Sequence, residues 1–149
     1  MRIETYSKAY FGDVARLIKE FHEEAVAEYD GEFNAEAVTE TISTGEPANC
    51  FLLILDGVCQ GLLYGTRFRS TVNGKPIFQE IMWYVSKDYR IYGVKLLKEV
   101  EKHLQSEGVS IMIMAVLQNS KTEKLERFYE RIGYKPMETH FVKELNGLG

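Results

Sequence analysis

Two cations and a glycine lie where a strand-like segment gives way to a helix-like one. The stretch is "YRIYGVKLL" (89–97), and it contains Arg90, Gly93 and Lys95. The first N–H groups of a helix lack intrahelical partners, and these donors together with the helix dipole favour a phosphate. Gly93 allows close approach of the backbone to a ligand, and the two side chains add charge. The pattern indicates an anion site, although one glycine and one arginine before a helix are also typical of a plain turn.

Two common nucleotide-binding loops are absent from the sequence, which contains neither G-x-x-x-x-G-K-[ST] nor G-x-G-x-x-G. The G-x-S-x-G motif typical of hydrolases is absent as well. An Asp56-Gly57 turn would place Cys59 opposite Ile54 and not opposite Cys50, so we expect neither a disulfide nor a zinc site. An unrelated nucleotide-binding enzyme or a hydrolase is therefore poorly supported.

Charge is unevenly divided along the chain. Residues 1–66 carry four basic and twelve acidic residues, whereas residues 67–149 carry fourteen and ten. An excess of acidic residues such as that in residues 1–66 commonly forms a solvated helix face. The alternative is a protein that binds an anion on one side and a cation on the other. The net charge of −4 argues against nucleic acid as the main partner.

Length and composition fit one globular domain over residues 1–149, with 45% hydrophobic and 27% charged residues. No apolar run is long enough to span a membrane, and "MRIETYSKAYFGD" has the features of neither a signal nor a transit peptide. We therefore expect a cytoplasmic protein with no membrane partner. The three histidines, His22, His103 and His140, are far apart in sequence and are interpreted as solvated or packing residues.

Hydrophobic periodicity predicts the element order β–α–α–β–β–β–α–β–α–β. The predicted strands are "RIETYS", the hairpin "CFLLILDGVCQGLLYGTRF", "IFQEIMWYV", "VSIMIMAVL" (read as buried on both faces) and "METHFVKEL". The predicted helices are "AYFGDVARLIKEFHEEAVAEY", about 34–43 with Asn34 as N-cap, about 93–106, and "KTEKLERFYERIGY". Because the crossover after "IFQEIMWYV" requires parallel strands, we predict an α/β (α+β) fold. Its sheet is mixed and mostly antiparallel, with helices on both faces and open edges that allow a homodimer.

Two segments resemble the GNAT superfamily of N-acetyltransferases, particularly its short phage and bacterial members. "VSKDYRIYGVKLLKEVEKHLQSEGV" resembles the acetyl-CoA-binding segment, whose pattern is Gln/Arg-x-x-Gly-x-Gly/Ala. Arg90 and Gly93 match that pattern, whereas Lys95 replaces the small sixth residue and Ile91 lies where glycine is common. Phe128–Tyr134 matches the C-terminal (Leu/Phe)-Tyr-x-x-x-Gly-(Phe/Tyr) pattern. The predicted element order also matches the family.

The resemblance implies transfer of an acetyl group from acetyl-CoA to a primary amine in a ternary complex, without a metal. It implies that one strand pairs with the pantetheine arm and donates an N–H to the carbonyl oxygen, and that the loop after it holds the pyrophosphate. The implied cofactor-binding residues are Tyr84, Val85, Arg90, Ile91, Tyr92, Gly93, Val94, Lys95 and Asn119.

Two side chains are candidates for proton transfer under this resemblance. Glu80 is the candidate base, directly or through water, because apolar neighbours in "IFQEIMWYV" would raise the pKa of a partly buried carboxyl. The alternative is a solvated carboxylate near a hairpin end. Tyr129 is the candidate acid for the CoA thiolate, and it also lies on an apolar helix stripe, where packing is the alternative.

The acidic half would supply the acceptor site. Tyr29, Asp30, Glu32 and Phe33 lie at the junction of the first two helices, and Trp83 lies on the strand expected beside it. Carboxylates with aromatic rings suit a cationic amine. The sequence does not choose among a polyamine, an aminoglycoside, an amino acid, a peptide or a protein lysine. The alternative to an enzyme is a weak or inactive scaffold that senses CoA or binds a protein.

Overall fold

The computed structural model describes residues 1–26, 31–117 and 121–146. Its strands are β1 (Arg2–Thr5), β2 (Cys50–Leu55), β3 (Val58–Arg69), β4 (Pro76–Val85) and β5 (Ile111–Ile113). Its helices are α1 (Phe11–Phe21), α2 (Ala35–Thr44), α3 (Gly93–Ser106) and α4 (Thr122–Arg131). Short 3-10 segments lie at Lys8–Tyr10, Pro47–Asn49 and Lys87–Tyr92, and a π-helical turn, His22–Val26, follows α1. None of the helices within these ranges is long and apolar enough to cross a membrane.

The sheet has the strand order β1-β2-β3-β4-β5, with antiparallel pairs up to β4 and a parallel pair between β4 and β5. Asp56 and Gly57 have φ of 49° and 78°, as the type I′ turn between β2 and β3 requires. That turn sets Cys59 opposite Ile54, as predicted, and both cysteines are free thiols. The predicted mixed α/β fold class is confirmed.

Helices cover both faces of the sheet because the central strands are apolar on both sides. On one face, Phe51 and Leu53 pack with residues of α3 and α4. On the other face, Leu52 and Ile54 pack with Val14 and Leu17 of α1. The inward face of α3 consists of Leu96, Leu97, Val100 and Leu104, which are all at most 1% exposed. The N-cap prediction is also confirmed, because Asn34 Oδ1 accepts the Ala37 N–H at 3.0 Å.

A β-bulge interrupts β4 and determines which side chains reach each face. Tyr64 pairs with Met82 and Gly65 pairs with Glu80, which leaves Ile81 as an extra residue. The bulge reverses the alternation, so that Glu80 shares a face with Phe78 and Trp83, and Ile81 shares the α1 face with Met82. Only glycine fits opposite the bulge, because a Cβ on Gly65 would lie 2.1 Å from the carbonyl oxygen of Gln79.

Three predicted elements differ in extent from the structure. The segment "VSIMIMAVL" forms only the three-residue strand β5, which lies at the sheet edge and leaves Ile111 41% exposed. None of the described residues after Arg131 forms a strand, so the prediction for "METHFVKEL" is wrong. An alternating pattern forms a strand only where a partner edge exists, and β5 offers an edge of three residues. The α-helical part of the first predicted helix ends at Phe21, before the π-helical turn.

Candidate active site

A cleft opens where β4 and β5 stop pairing. The last paired residues are Gln79 and Ile113, and beyond them the two segments diverge. The cleft has a volume of about 1130 Å³ and passes from the α1 face of the sheet to the α4 face. Its walls come from α1, the start of α2, β4, the segment after β5 and α4.

The two candidate proton-transfer residues meet at one peptide unit on this cleft. Glu80 Oε1 accepts a hydrogen bond from the backbone N–H of Ala115 at 3.2 Å. The hydroxyl of Tyr129 donates to the carbonyl oxygen of the same residue at 3.3 Å. Both side chains and Ala115 line the cleft. The structure therefore brings together residues that are 49 positions apart in the sequence.

The carboxyl of Glu80 is half-buried and titrates close to neutrality. Burial raises its pKa from 4.5 to about 7, and the hydrogen bond from Ala115 only partly offsets this effect. A carboxyl with this pKa is able both to accept and to release a proton near neutral pH. The sequence-based expectation of a partly buried Glu80 agrees with its position; the solvated alternative does not.

Tyr129 is 6% exposed and retains its proton over the physiological range. Burial raises its pKa most, followed by the nearby charge of Glu80 and by Tyr134. Its ring lies 5.3 Å from the ring of Tyr134 and 6.1 Å from that of Trp83, measured between centroids. Tyr129 thus combines core packing on its apolar body with a hydroxyl at the cleft.

Beyond the bulge, β4 presents backbone groups on the edge that faces the cleft. Ser86 N–H donates to Gln60 O on the β3 side at 2.8 Å. Because hydrogen-bonding direction alternates along a strand, Tyr84 also bonds toward β3, whereas Trp83 and Val85 direct their N–H and C=O groups toward the cleft. The family resemblance implied Tyr84 and Val85 on this strand. Of these two, Val85 is the one whose N–H faces the cleft.

Arg90 faces α1 and not the start of α3. Its guanidinium pairs with Glu24, lies 5.6 Å over the ring of Tyr84 and donates through Nε to Val85 O at 3.1 Å. The hydroxyl of Tyr84 donates to Glu20 and Glu24 at 3.1 and 3.2 Å, so the Tyr84 side chain also lies on the α1 side. The side chains of Arg90 and Glu24 are 37% and 40% exposed.

The remaining loop residues form the entry to α3. Gly93 is buried at the first position of that helix, and a Cβ there would make ordinary contacts of 3.6 Å with Val85 and 3.8 Å with Trp83. The fold itself therefore does not require glycine at this position. Ile91 and Val94 are 84% and 39% exposed, and Lys95 is exposed beside them, whereas Tyr92 packs against the core.

Trp83 lies on a different side from the one predicted. The sequence placed it at the acidic junction, but its ring packs on the α4 face, 6.2 Å from Phe128 between centroids. This is a consequence of the bulge, which sets the alternation of β4. Its Nε1 is buried and has no protein acceptor among the residues described, although Trp83 lines the cleft. An amide carbonyl of a pantetheine arm would satisfy this donor, so this part of the cleft fits acetyl-CoA.

Carboxylates and aromatic rings from the π-helical turn and from the segment before α2 also line the cleft. Glu32 and Phe33, both predicted, contribute to this wall together with Glu24 and His22. His22 Nε2 lies 2.7 Å from Gly31 O, and its ring lies 5.9 Å from that of Phe33. Glu24 was missed, because its contact with Arg90 spans 66 positions and leaves no local pattern. The predicted residues Tyr29, Asp30 and Asn119 lie outside the described residues.

Metal ligation has no candidate within the described ranges. No group of three or more His, Cys, Asp or Glu side chains there could hold an ion. Burial raises the pKa of Cys50 to about 12 and that of Cys59 to about 11, so both thiols stay protonated.

Several solved acetyltransferases have similar folds. A ribosomal-protein-alanine N-acetyltransferase from Brucella melitensis biovar Abortus 2308 superposes with a TM-score of 0.74 at 13% identity, over 97% of this chain and 100% of that chain. A possible acetyltransferase from Clostridium difficile 630 superposes with a TM-score of 0.75 at 13% identity, over 98% of each chain. An aminoglycoside acetyltransferase from an uncultured soil metagenomic sample superposes with a TM-score of 0.72 at 12% identity, over 97% of this chain and 98% of that chain. At such identities, these similarities establish the fold alone.

Family membership follows from the sequence. No curated protein sequence matches the chain significantly. Residues 15–134 nevertheless match the profile of the Acetyltransferase (GNAT) family. The matched region runs from α1 through α4 and includes β4, the loop before α3 and the whole of the Glu80–Ala115–Tyr129 arrangement. The chain is a member of the GNAT family of acetyltransferases.

Proposed function

We propose that this protein is an N-acetyltransferase that moves an acetyl group from acetyl-CoA to a primary amine of a cationic small-molecule or peptide acceptor. The amine attacks directly in a ternary complex. The proposal is carried by the convergence of the Glu80 carboxyl and the Tyr129 hydroxyl on Ala115, at the gap between β4 and β5. One group is poised to take a proton and the other to give one.

Glu80 acts as the base, directly or through a water molecule. An amine bound from solvent carries a proton that must leave before the nitrogen attacks. With a pKa of about 7, Glu80 is substantially ionised at neutral pH and accepts that proton on a carboxylate oxygen. Its hydrogen bond to Ala115 fixes the carboxyl at the edge of the gap.

Tyr129 acts as the acid. Its raised pKa keeps the proton on the hydroxyl until a stronger base forms next to it. The departing sulfur of the co-substrate is such a base. Since the ring is held by its aromatic neighbours, the hydroxyl needs only to leave Ala115 O, at 3.3 Å, to donate elsewhere.

The free edge of β4 holds the co-substrate. When bound, acetyl-CoA supplies the activated acetyl thioester. The Val85 N–H points to the cleft and is placed to stabilise negative charge on the acetyl oxygen, and Trp83 Nε1 offers a further buried donor. Tyr84 supports this edge through its bonds to α1. The N–H groups at the start of α3 bind the pyrophosphate, with Ile91, Tyr92, Val94 and Lys95 around it. The N–H of Gly93 itself donates to Arg90 O, so Gly93 contributes by leaving room for the backbone approach.

Glu24 and Glu32 bind the cationic acceptor, with Phe33 beside them. Both carboxylates line the cleft, and Glu24 also pairs with Arg90. An ammonium or a second cationic group of the acceptor would be attracted to these carboxylates, and the positive half of the chain would attract the anionic co-substrate.

Two measurements test the proposal. The first is thermal unfolding with acetyl-CoA, CoA or NAD, because a ligand that binds only the folded state raises the apparent stability. We expect shifts with acetyl-CoA and CoA but none with NAD. The second is thiol release from acetyl-CoA across a panel of polyamines, aminoglycosides, alkylamines and peptides. No shift at millimolar acetyl-CoA, or no thiol release with any amine, would contradict the proposal.

One observation favours a second candidate, a scaffold that senses CoA or binds a protein. Arg90, the first residue of the loop pattern, is paired with Glu24 and directed away from α3. A loop without its arginine would bind the pyrophosphate weakly. Binding of CoA without turnover of any amine would support this candidate over the enzyme.

A further inference from the structure

A second, smaller cavity lies on the α1 face of the sheet. It has a volume of about 330 Å³ and lies between α1, α2 and the strands β2 and β3. A cavity of about 150 Å³ with apolar walls is large enough to hold benzene. The larger volume here is therefore enough for an aromatic ring or a medium-length alkyl chain.

Apolar side chains dominate the walls of this cavity. They include Val14 and Ile18 from α1, Ile42 from α2, Leu62 from β3 and Ile81 from β4. The Cys50 thiol also contributes and stays neutral, because burial raises its pKa to about 12. The mainly apolar walls therefore favour an apolar ligand of matching size.

Two polar side chains at the cavity are already hydrogen-bonded to other parts of the protein. Glu46 Oε1 accepts the Ala48 N–H at 3.2 Å, and Asn49 Oδ1 accepts from Arg67 Nε at 2.7 Å. These bonds stabilise the turn before β2. The main gain for a ligand here is therefore the removal of apolar surface from water.

The cavity and the large cleft are neighbours that share part of their lining. Ile18, Tyr64 and Ile81 line both spaces. Ile81 is the bulge residue next to Glu80, and its side chain is 53% exposed although β4 lies inside the sheet. An apolar arm that joins an amine at Glu80 to the small cavity would therefore run along Ile81.

We propose that this cavity is the subsite for an alkyl or aryl arm of the acceptor, so that the acceptor is a hydrophobic monoamine and not a polyamine or an aminoglycoside. This inference rests on the proposed acetyltransferase function. The reacting amine lies at Glu80, and the apolar arm replaces solvent against Ile18, Ile42 and Ile81.

The length dependence of turnover tests this subsite. The probes are ethylamine, butylamine and hexylamine, assayed for kcat/KM with saturating acetyl-CoA. Each fully buried methylene contributes about fourfold, so four would give about 250-fold. We expect hexylamine to exceed ethylamine by at least about 30-fold, allowing for partial burial. Equal values for the three amines would overturn the proposal.

Two variants of α2 locate the effect. Ile42→Trp fills the cavity and is expected to reduce the hexylamine-to-ethylamine ratio at least tenfold. Ser43→Trp adds the same bulk on the exposed side of the same helix and is the matched control, with an unchanged ratio. An equal loss in both variants would contradict the subsite. Thermal unfolding of both variants verifies that they fold.

A binding experiment separates failure of the subsite from failure of the proposed function. Amide NMR spectra are recorded with 1-hexanol, which has the apolar arm but no amine. We expect shifts at Ile42, Cys50 and Thr66 that disappear in Ile42→Trp. Turnover of ethylamine without these shifts would overturn the subsite alone. Shifts without acetylation of any amine would overturn the proposed function and the assignment of this cavity to the acceptor.

Discussion

Glu80 is the side chain whose protonation state matters most for the proposed chemistry. Its folded pKa of about 7 lies above the ordinary value of 4.5. The folded protein therefore favours the protonated carboxyl, and its stability decreases as pH rises from about 4.5 to about 7, with no further change above that range. Ionisation of Glu80 therefore lowers the stability of the fold and also produces the carboxylate that would act as the base.

Glu80→Gln is expected to stabilise the protein at pH 8 but not at pH 4. The amide keeps an oxygen for the Ala115 N–H and carries no charge to desolvate. The gain in unfolding free energy should be about 1–3 kcal/mol above pH 7. Urea unfolding at pH 4, 6 and 8 measures it. A pH-independent difference between the variant and the wild type would show that Glu80 has an ordinary pKa.

We expect Glu24 to compete with the co-substrate for Arg90. In the structure, Arg90 pairs with Glu24 and not with the loop before α3. We expect Glu24→Gln to tighten CoA binding two- to fivefold, because an exposed ion pair contributes about 0.5–1 kcal/mol. Calorimetric titration with CoA measures this. Glu23→Gln removes the same charge from the adjacent exposed position and should leave the Kd unchanged. Weaker CoA binding in Glu24→Gln would contradict the competition.

At the scale of elements, the β4 bulge positions the site. It places Glu80 on the same face as Trp83 and Ile81 on the same face as Met82, whereas unbroken alternation would put each of these pairs on opposite faces. The bulge depends on Gly65, whose missing side chain admits the Gln79 backbone.

Gly65→Ala is therefore expected to destabilise the protein by more than about 2 kcal/mol, since its Cβ would meet backbone that does not give way. Gly12→Ala is the control, because no atom lies within 4 Å of a Cβ at that position. Denaturant unfolding of both variants measures the difference. Equal stabilities would mean that the strand accommodates a side chain at the bulge.

Periodicity and turn chemistry predicted most of the elements, because local patterns determine them. The Asp56-Gly57 turn, the Asn34 cap and the bounds of α3 are examples. The bulge has no such pattern, because it arises from pairing between β3 and β4. Glu80 and Tyr129 were proposed from family resemblance, but their shared contact with Ala115 depends on a crossover that no local pattern contains.

At the scale of the whole molecule, one apolar stripe remains exposed. Met137, Phe141 and Leu145 are 70%, 94% and 86% exposed, and they recur every four residues along the segment after α4. The outer edge of β5 has no strand partner among the described residues. Exposed apolar segments and open sheet edges favour association with another chain.

We therefore expect the protein to form homodimers that depend on this stripe. Phe141→Ser should raise the dimer dissociation constant at least tenfold, because it removes the aromatic surface that the interface would bury. Sedimentation over a range of concentrations measures the effect. His140→Ser, which replaces the exposed polar neighbour of Phe141, is the control. A wild-type protein that stays monomeric at all concentrations would contradict the expectation.

The most direct test of the proposed chemistry is the pH dependence of acetyl transfer in the wild type and in Glu80→Gln. Thiol release at low amine concentration reports kcat/KM, in which the ionisation of the free enzyme appears. The wild type should show a rise in kcat/KM centred on a pKa of about 7, and Glu80→Gln should lose that rise and at least about a hundredfold in rate. Wild-type rates and an unchanged profile in Glu80→Gln would show that another group takes the proton.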